Sequence, residues 1–292
     1  MTLRKSFQMT LGNIISRKIL ALATISMAFA VLSGCSTNKM AARVASGLVN
    51  SGLDTVFSQS DTEYVKEALP SNLQLMEIML AADPGNRKLL TNAAMGFCGY
   101  SLMFLEEDSP KRASVFYQKG QDYAKKALIG KKSEEIDLKK LGKKDAPALF
   151  WHTFCKANYL NLNKHRPAAI AQLPSLEPEI NRLEELDPEY YYNGAYILKG
   201  AFYAIRPRMF GGNPEKAKEY FEKALKGKGE GFLMTKYEYA KMAAPADLDE
   251  ELFDRLISEI LSAEIKDGPE RLANEAAKIK AKKLQEQKDD IF

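Results

Sequence analysis

Along most of the chain, apolar residues recur every three or four positions, and strand-like alternation is almost absent. Helices are predicted over about 39–57, from Asp61 to Ala82 with an interruption at Pro70, and over about 86–107, 110–128 and 146–164. Further helices are predicted at about 175–186, 189–205, 214–226, 231–243, 248–263 and 268–288. Asp83-Pro84 and Asp187-Pro188 read as stops, because proline disfavours helical backbone in the residue before it. Asn213-Pro214 reads as a start, with a side-chain cap followed by a ring already set at helical φ. The expected fold class is all-α.

The pattern also repeats. Gly200 is followed seventeen positions later by Ala217, then by Phe221 and Ala224; Gly96 is followed at the same spacing by Ala113, then Tyr117 and Gly120. A small residue on one helix facing a small-large-small set on the next lets antiparallel helices approach closely, as in tetratricopeptide hairpins. The ordinary spacing there is about 12, so both copies carry an extended turn. A degenerate third unit runs from Trp151 to Asp187-Pro188, and a fourth hairpin spans 231–263. Such hairpins cannot bury their apolar faces alone and stack into a superhelix, whose irregular units predict a tight, closed one. The alternative is a helical bundle with coincidental glycines.

The start of the chain departs from this pattern. Arg4, Lys5, Arg17 and Lys18 precede an apolar run that ends in Leu32-Ser33-Gly34-Cys35. A basic region, a short apolar stretch and a small-residue cleavage site make a secretory signal. The run is shorter than the roughly 20 residues of a membrane span. Its ending resembles the bacterial lipobox, which predicts lipidation of Cys35; an ordinary signal or an uncleaved anchor is the alternative. The predicted organisation is signal peptide 1–34, tether and first helix 35–60, and helical repeats 61–292. Without residues 1–34 the chain has 38 basic and 38 acidic residues, so the net charge of +4 belongs to the export segment and gives no case for nucleic acid. Ser36, in place of the aspartate that retains such lipoproteins at the inner membrane, favours the outer membrane facing the periplasm. Two cysteines remain in predicted helices, Cys98 and Cys155. They are expected as buried free thiols, with a bridge as the alternative that an oxidising compartment permits.

Catalytic and metal-binding patterns do not appear. His152 and His165 have no cysteine or carboxylate at ligand spacing, and no nucleophile motif is present. Gly227-Lys228-Gly229-Glu230-Gly231 follows a helix rather than a strand, so it reads as a helix end and not a dinucleotide loop. The lysines of 278–283 read as a solvated face. No enzyme activity, cofactor or metal is expected.

Binding is the more productive expectation. Tetratricopeptide registers place Leu90, Ala93, Phe97, Tyr100 and Ser101 on the concave surface, with Leu149, His152, Lys156, Tyr159 and Leu160 from the next unit. Gly194, Ile197, Ala201, Ala204 and Ile205 follow from the third. This surface is mostly apolar. Either another helix, such as the C-terminal one, fills it, or it forms a cleft for a small hydrophobic ligand. Candidate cleft residues are Phe97, Tyr100, Trp151, Lys156, Tyr159 and Ile197, with Lys156 able to pair an acid group. The turn 205–212 presents Arg208, Met209 and Phe210, either as a partner contact or cleft mouth or tucked into its own repeat.

Together with the lipobox, the segments Ala148-Leu149-Phe150-Trp151, Asp187-Pro188-Glu189-Tyr190-Tyr191-Tyr192 and Arg208-Met209-Phe210-Gly211-Gly212-Asn213-Pro214-Glu215-Lys216-Ala217 resemble the TatT family. These are the T components of tetratricopeptide-associated TRAP transporters. The resemblance implies a periplasmic lipoprotein, a homotrimer with a cleft or pore in each subunit, and docking of a TRAP substrate-binding P component. It also implies handling of hydrophobic or amphipathic organic acids. A tetratricopeptide scaffold lipoprotein for envelope assembly, with no small ligand, is the alternative.

Overall fold

The computed structural model describes residues 37–49, 51–129 and 134–292; Cys35 lies outside the described residues. Helical stretches at 37–49 and 51–57 come first. Ten helices of 11 residues or more follow: α1 (Thr62–Ala82), α2 (Arg87–Tyr100), α3 (Pro110–Ile129), α4 (Ala146–Leu162) and α5 (Leu176–Leu186). The others are α6 (Tyr190–Ile205), α7 (Pro214–Ala224), α8 (Leu233–Ala246), α9 (Glu250–Ser262) and α10 (Arg271–Glu286). No strand occurs among the described residues.

Side-chain caps set several starts. Asp61, Asn86, Asn213 and Asp249 each accept a bond from the backbone N–H three residues on. Pro70 does not interrupt α1, which continues through it to Ala82. Proline gives up one intrahelical bond, and the apolar face on either side (Val65, Leu73, Met76) stays buried against the next helix, which outweighs that loss.

The helices form two ranks. α2, α4, α6, α8 and α10 each touch the next in an inner rank, while α3, α5, α7 and α9 pair with them on the outside. The sequence carries this division. Outer helices are amphipathic: α7 buries only Pro214, Ala217, Phe221 and Ala224. Inner helices are apolar most of the way round, as in α4, where Ala148 through Thr153 are all buried. α10 also reaches α1, so the last helix meets the first and the superhelix closes.

Close approaches use the small residues, though not always in the expected pairing. A Cβ on Gly200 would lie 2.8 Å from the Phe221 ring, as the repeat pattern predicts. A Cβ on Gly96 would instead meet Leu73 of α1. In that unit the tight crossing falls at Gly120, which lies against Cys98, Cys155 and the Ala94 carbonyl. Cys98 and Cys155 form a disulfide, with Cα atoms 5.6 Å apart, and are not the free thiols expected. Side-chain polarity alone cannot distinguish two buried thiols from a bridge; the meeting of α2 and α4 over a bare glycine can.

Candidate functional site

The inner rank encloses a run of cavities. One of about 200 Å³ lies between the N-terminal stretch, α1 and α2, with Leu53, Phe57, Leu73, Met76 and Tyr100 in its wall. A second, of about 320 Å³, is bounded by Asp54, Met95, Tyr192 and Pro269. A third, of about 50 Å³, reaches inward to Trp151, Phe154, Thr235 and Glu238. Tyr191 and Met103 line all three. A fourth, of about 30 Å³, continues past Ile197 and Glu238 to Ile205 and Met242. The walls are predominantly apolar and aromatic, as small-molecule sites are. α10 contributes Leu272 and Ala273. The C-terminal helix therefore closes the concave face without filling it.

Two backbone irregularities set the centre of this run. α2 passes into a π-helical turn, Ser101–Leu105, in which the Glu106 N–H bonds the Ser101 carbonyl at 3.1 Å. The widened turn brings Met103 into the cavity wall and leaves the Leu102 carbonyl to accept from Lys280 at 2.8 Å. At the start of α6, Tyr191, Tyr192 and Asn193 hold left-handed φ of 50°, 57° and 63°. Each such residue costs about 1–2 kcal/mol. The surroundings hold them there: Asn193 donates to the Ala224 and Lys226 carbonyls, and Tyr192 stacks on Phe232 at 4.1 Å. Tyr191 meets Trp151 edge-on at 4.7 Å. Gly194 lies so close to the Phe150 ring that any Cβ would overlap it. The strain thus fixes an aromatic cluster in the wall that the three cavities share. Burial raises the Tyr191 phenol, so it stays neutral.

Beside the third cavity lies a buried ionic cluster. Lys241 pairs Glu106 at 2.7 Å, Lys280 pairs Glu107, and Tyr117 donates to Glu106 at 2.7 Å. Burial alone would raise the Glu106 carboxyl; the Lys241 and Lys280 ammonium groups and the hydrogen bonds outweigh it and hold it below the ordinary range. Lys280 is only 2% exposed, which corrects the expectation that 278–283 is a solvated face. Its long stem carries the charge to carboxylates some 175 positions earlier, a pairing no local pattern reveals.

Tyr100, Trp151 and Ile197 line the cavities. Phe97, Lys156 and Tyr159 lie off them. Phe97 packs on Phe116 and Tyr123 in the core, and Tyr159 packs against the same core cluster. Lys156 is already paired with Glu179 at 2.5 Å, in a buried group that includes Thr153 and His152, whose imidazole burial keeps neutral. On α2 the cavity wall is Asn92, Met95, Gly96, Gly99 and Tyr100, of which the repeat register marks only Tyr100. On α6 the register and the wall agree at Ile197, Ala201 and Ile205. Tyr191, Met103, Thr235 and Glu238 carry no sequence signal of their own beyond the Tyr190-Tyr191-Tyr192 run.

The 205–212 turn is exposed rather than tucked in. Met209 and Phe210 are 83% and 56% accessible, and Arg208 reaches Asp247 at 3.5 Å across the surface. Gly211 takes φ 86°, and Arg206 donates to the Phe210 carbonyl, which holds the turn in shape. Gly227–Gly229 is a short helical turn at the end of α7 whose close approach allows Asn193 to cap that end.

Among the described residues no group of three histidine, cysteine or acidic side chains is arranged to hold a metal, and no helix is long and apolar enough to cross a membrane. A family model described as TRAP transporter T-component matches residues 58–292. No curated protein matches the chain.

Proposed function

The chain belongs to the TRAP transporter T-component family, and from that premise we propose that it is a lipid-anchored, periplasm-facing accessory subunit that holds an apolar or amphipathic ligand inside its superhelix. The observation that carries this reading is the run of apolar cavities that share Tyr191 and Met103 in their walls. A protein that only displayed helices to a partner would gain from filling them, since lost packing costs stability. The buried disulfide supports an exported protein, and the lipobox-like ending at Cys35 with Ser36 after it supports lipidation and an outer-membrane position. The turn Arg208-Met209-Phe210 is proposed as the docking contact for a TRAP-type substrate-binding protein, because it presents a cation beside exposed Met and Phe on a constrained backbone.

The test is affinity capture from detergent-solubilised envelopes with a C-terminally tagged chain. Recovery of a TRAP-type substrate-binding protein, reduced at least about ten-fold by Arg208→Glu or Phe210→Ala, supports the reading. The exposed Met209 and Phe210 also favour the alternative of a scaffold for envelope assembly. Recovery of assembly proteins alone would establish the scaffold and reject the transport role.

A further inference from the structure

The cavity beside Trp151 is apolar except on one side. Thr235 and Glu238, three residues apart and so on one face of α8, both line it. They are 1% and 7% exposed, and neither Thr235 Oγ1 nor Glu238 Oε1 has a hydrogen-bond partner. Buried polar atoms are almost always paired, so two orphaned ones on a single cavity wall point to a missing partner.

Charge narrows the choice of partner. Three carboxylates meet here, Glu106, Glu107 and Glu238, against two ammonium groups, Lys241 and Lys280. Each ammonium is bonded to Glu106 or Glu107, which leaves Glu238 without an ion pair of its own. Burial pushes the Glu238 carboxyl above its ordinary value despite the pull of Lys241. With Glu238 protonated the cluster is electrically balanced. A charged head of either sign would then meet a cluster with no net charge to offset it, each of whose ions is already paired. A carboxylic acid and a hydroxyl each donate and accept, and together suit a neutral head that does the same.

We infer that Thr235 and Glu238 form the polar end of the ligand site and select an uncharged hydrogen-bonding head, such as an amide, an alcohol or a protonated carboxylic acid, on an apolar chain that extends past Tyr191. This rests on the proposed ligand-holding role and adds the head-group chemistry to it. Glu238 acts as a donor through its acid proton and Thr235 as the second partner. The aromatic wall of Phe150, Trp151 and Tyr191 excludes the water that would otherwise compete.

Trp151 is the only tryptophan and lines this cavity, so its fluorescence reports occupancy directly. The experiment titrates the full chain with octanamide, octylammonium, octanoate and octane. The expected result is that octanamide binds about ten-fold or more tighter than octane, that Glu238→Gln keeps the preference, and that Glu238→Leu removes it. Glu238→Leu removes a buried unpaired polar group, so it folds at least as well as the native chain. Tightest binding of octylammonium, or a preference unchanged in Glu238→Leu, would overturn the head-group assignment. Equal binding of all four would overturn it while leaving the ligand-holding role in place. Binding of none would overturn both.

Discussion

Glu238 is where the fold and its use diverge. Its carboxyl is buried with no partner for Oε1, and its folded value lies above the ordinary 4.5. Below 4.5 both folded and unfolded chains carry the proton, so its ionisation contributes nothing to the stability difference. As pH rises through 4.5 the unfolded chain releases the proton and the folded chain keeps it, so stability falls until the folded value is passed. Lys241, Lys280, Glu106, Glu107 and Tyr237 all face this group, and they are common to native chain and variant, so a comparison of the two isolates Glu238. Glu238→Gln should therefore raise the thermal midpoint at neutral pH, by a few degrees for about 1 kcal/mol, with the gain vanishing in acid. Melting curves across pH check this; a gain of equal size at low pH would show that the carboxyl is not protonated on folding. Gly120 makes the opposite case. It has no room for a Cβ beside Cys98, Cys155 and the Ala94 carbonyl, so Gly120→Ala should destabilise by about 1–3 kcal/mol in denaturant titration.

At the scale of elements, the disulfide joins α2 to α4 across 57 residues. Closing a loop of that length in the unfolded chain is worth about 4 kcal/mol in the chain-entropy model. The Cys98→Ser, Cys155→Ser double variant should lose stability of that order, and alkylation of the native chain should require both unfolding and reduction. The left-handed start of α6 is tied to the end of α7 by one side chain. Asn193 tolerates positive φ and also caps the end of α7 through the Ala224 and Lys226 carbonyls. Asn193→Ala should cost about 2 kcal/mol or more and quicken amide exchange at 190–194 and 224–229, while Asn193→Gly, which relieves the backbone, should cost less. These elements also show what the sequence could carry. Helix identity and the caps at Asp61 and Asn213 were legible because each rests on residues within one or two turns, and the Gly200–Phe221 crossing because the small-large-small spacing repeats along the chain. The π turn, the left-handed tyrosines and the Lys280 pairs were not, since each is stabilised by partners far along the chain. The cavity wall was half legible for the same reason. The register held on α6, where Ile197 faces inward, and at Tyr100 on α2, but it was rotated over the rest of α2 and on α4, leaving Phe97, Lys156 and Tyr159 off the wall.

The whole molecule is a ring of hairpins closed by contact between α10 and α1, and closure is what turns a concave surface into an enclosed one. The homotrimer implied by the sequence resemblance remains a proposal, which light scattering on the detergent-free chain without residues 1–35 should support as a single species of three subunits; a monomer at all concentrations would reject it. The central claim is that the apolar run between Tyr100 and Glu238 takes up a ligand chain rather than standing as slack packing. The direct measurement is anomalous diffraction from crystals of the protein soaked with bromooctane. Bromine peaks inside the run, on either side of Tyr191 and Met103, are the predicted result. Bromine confined to the exterior, with the interior empty at the same soak, would contradict it.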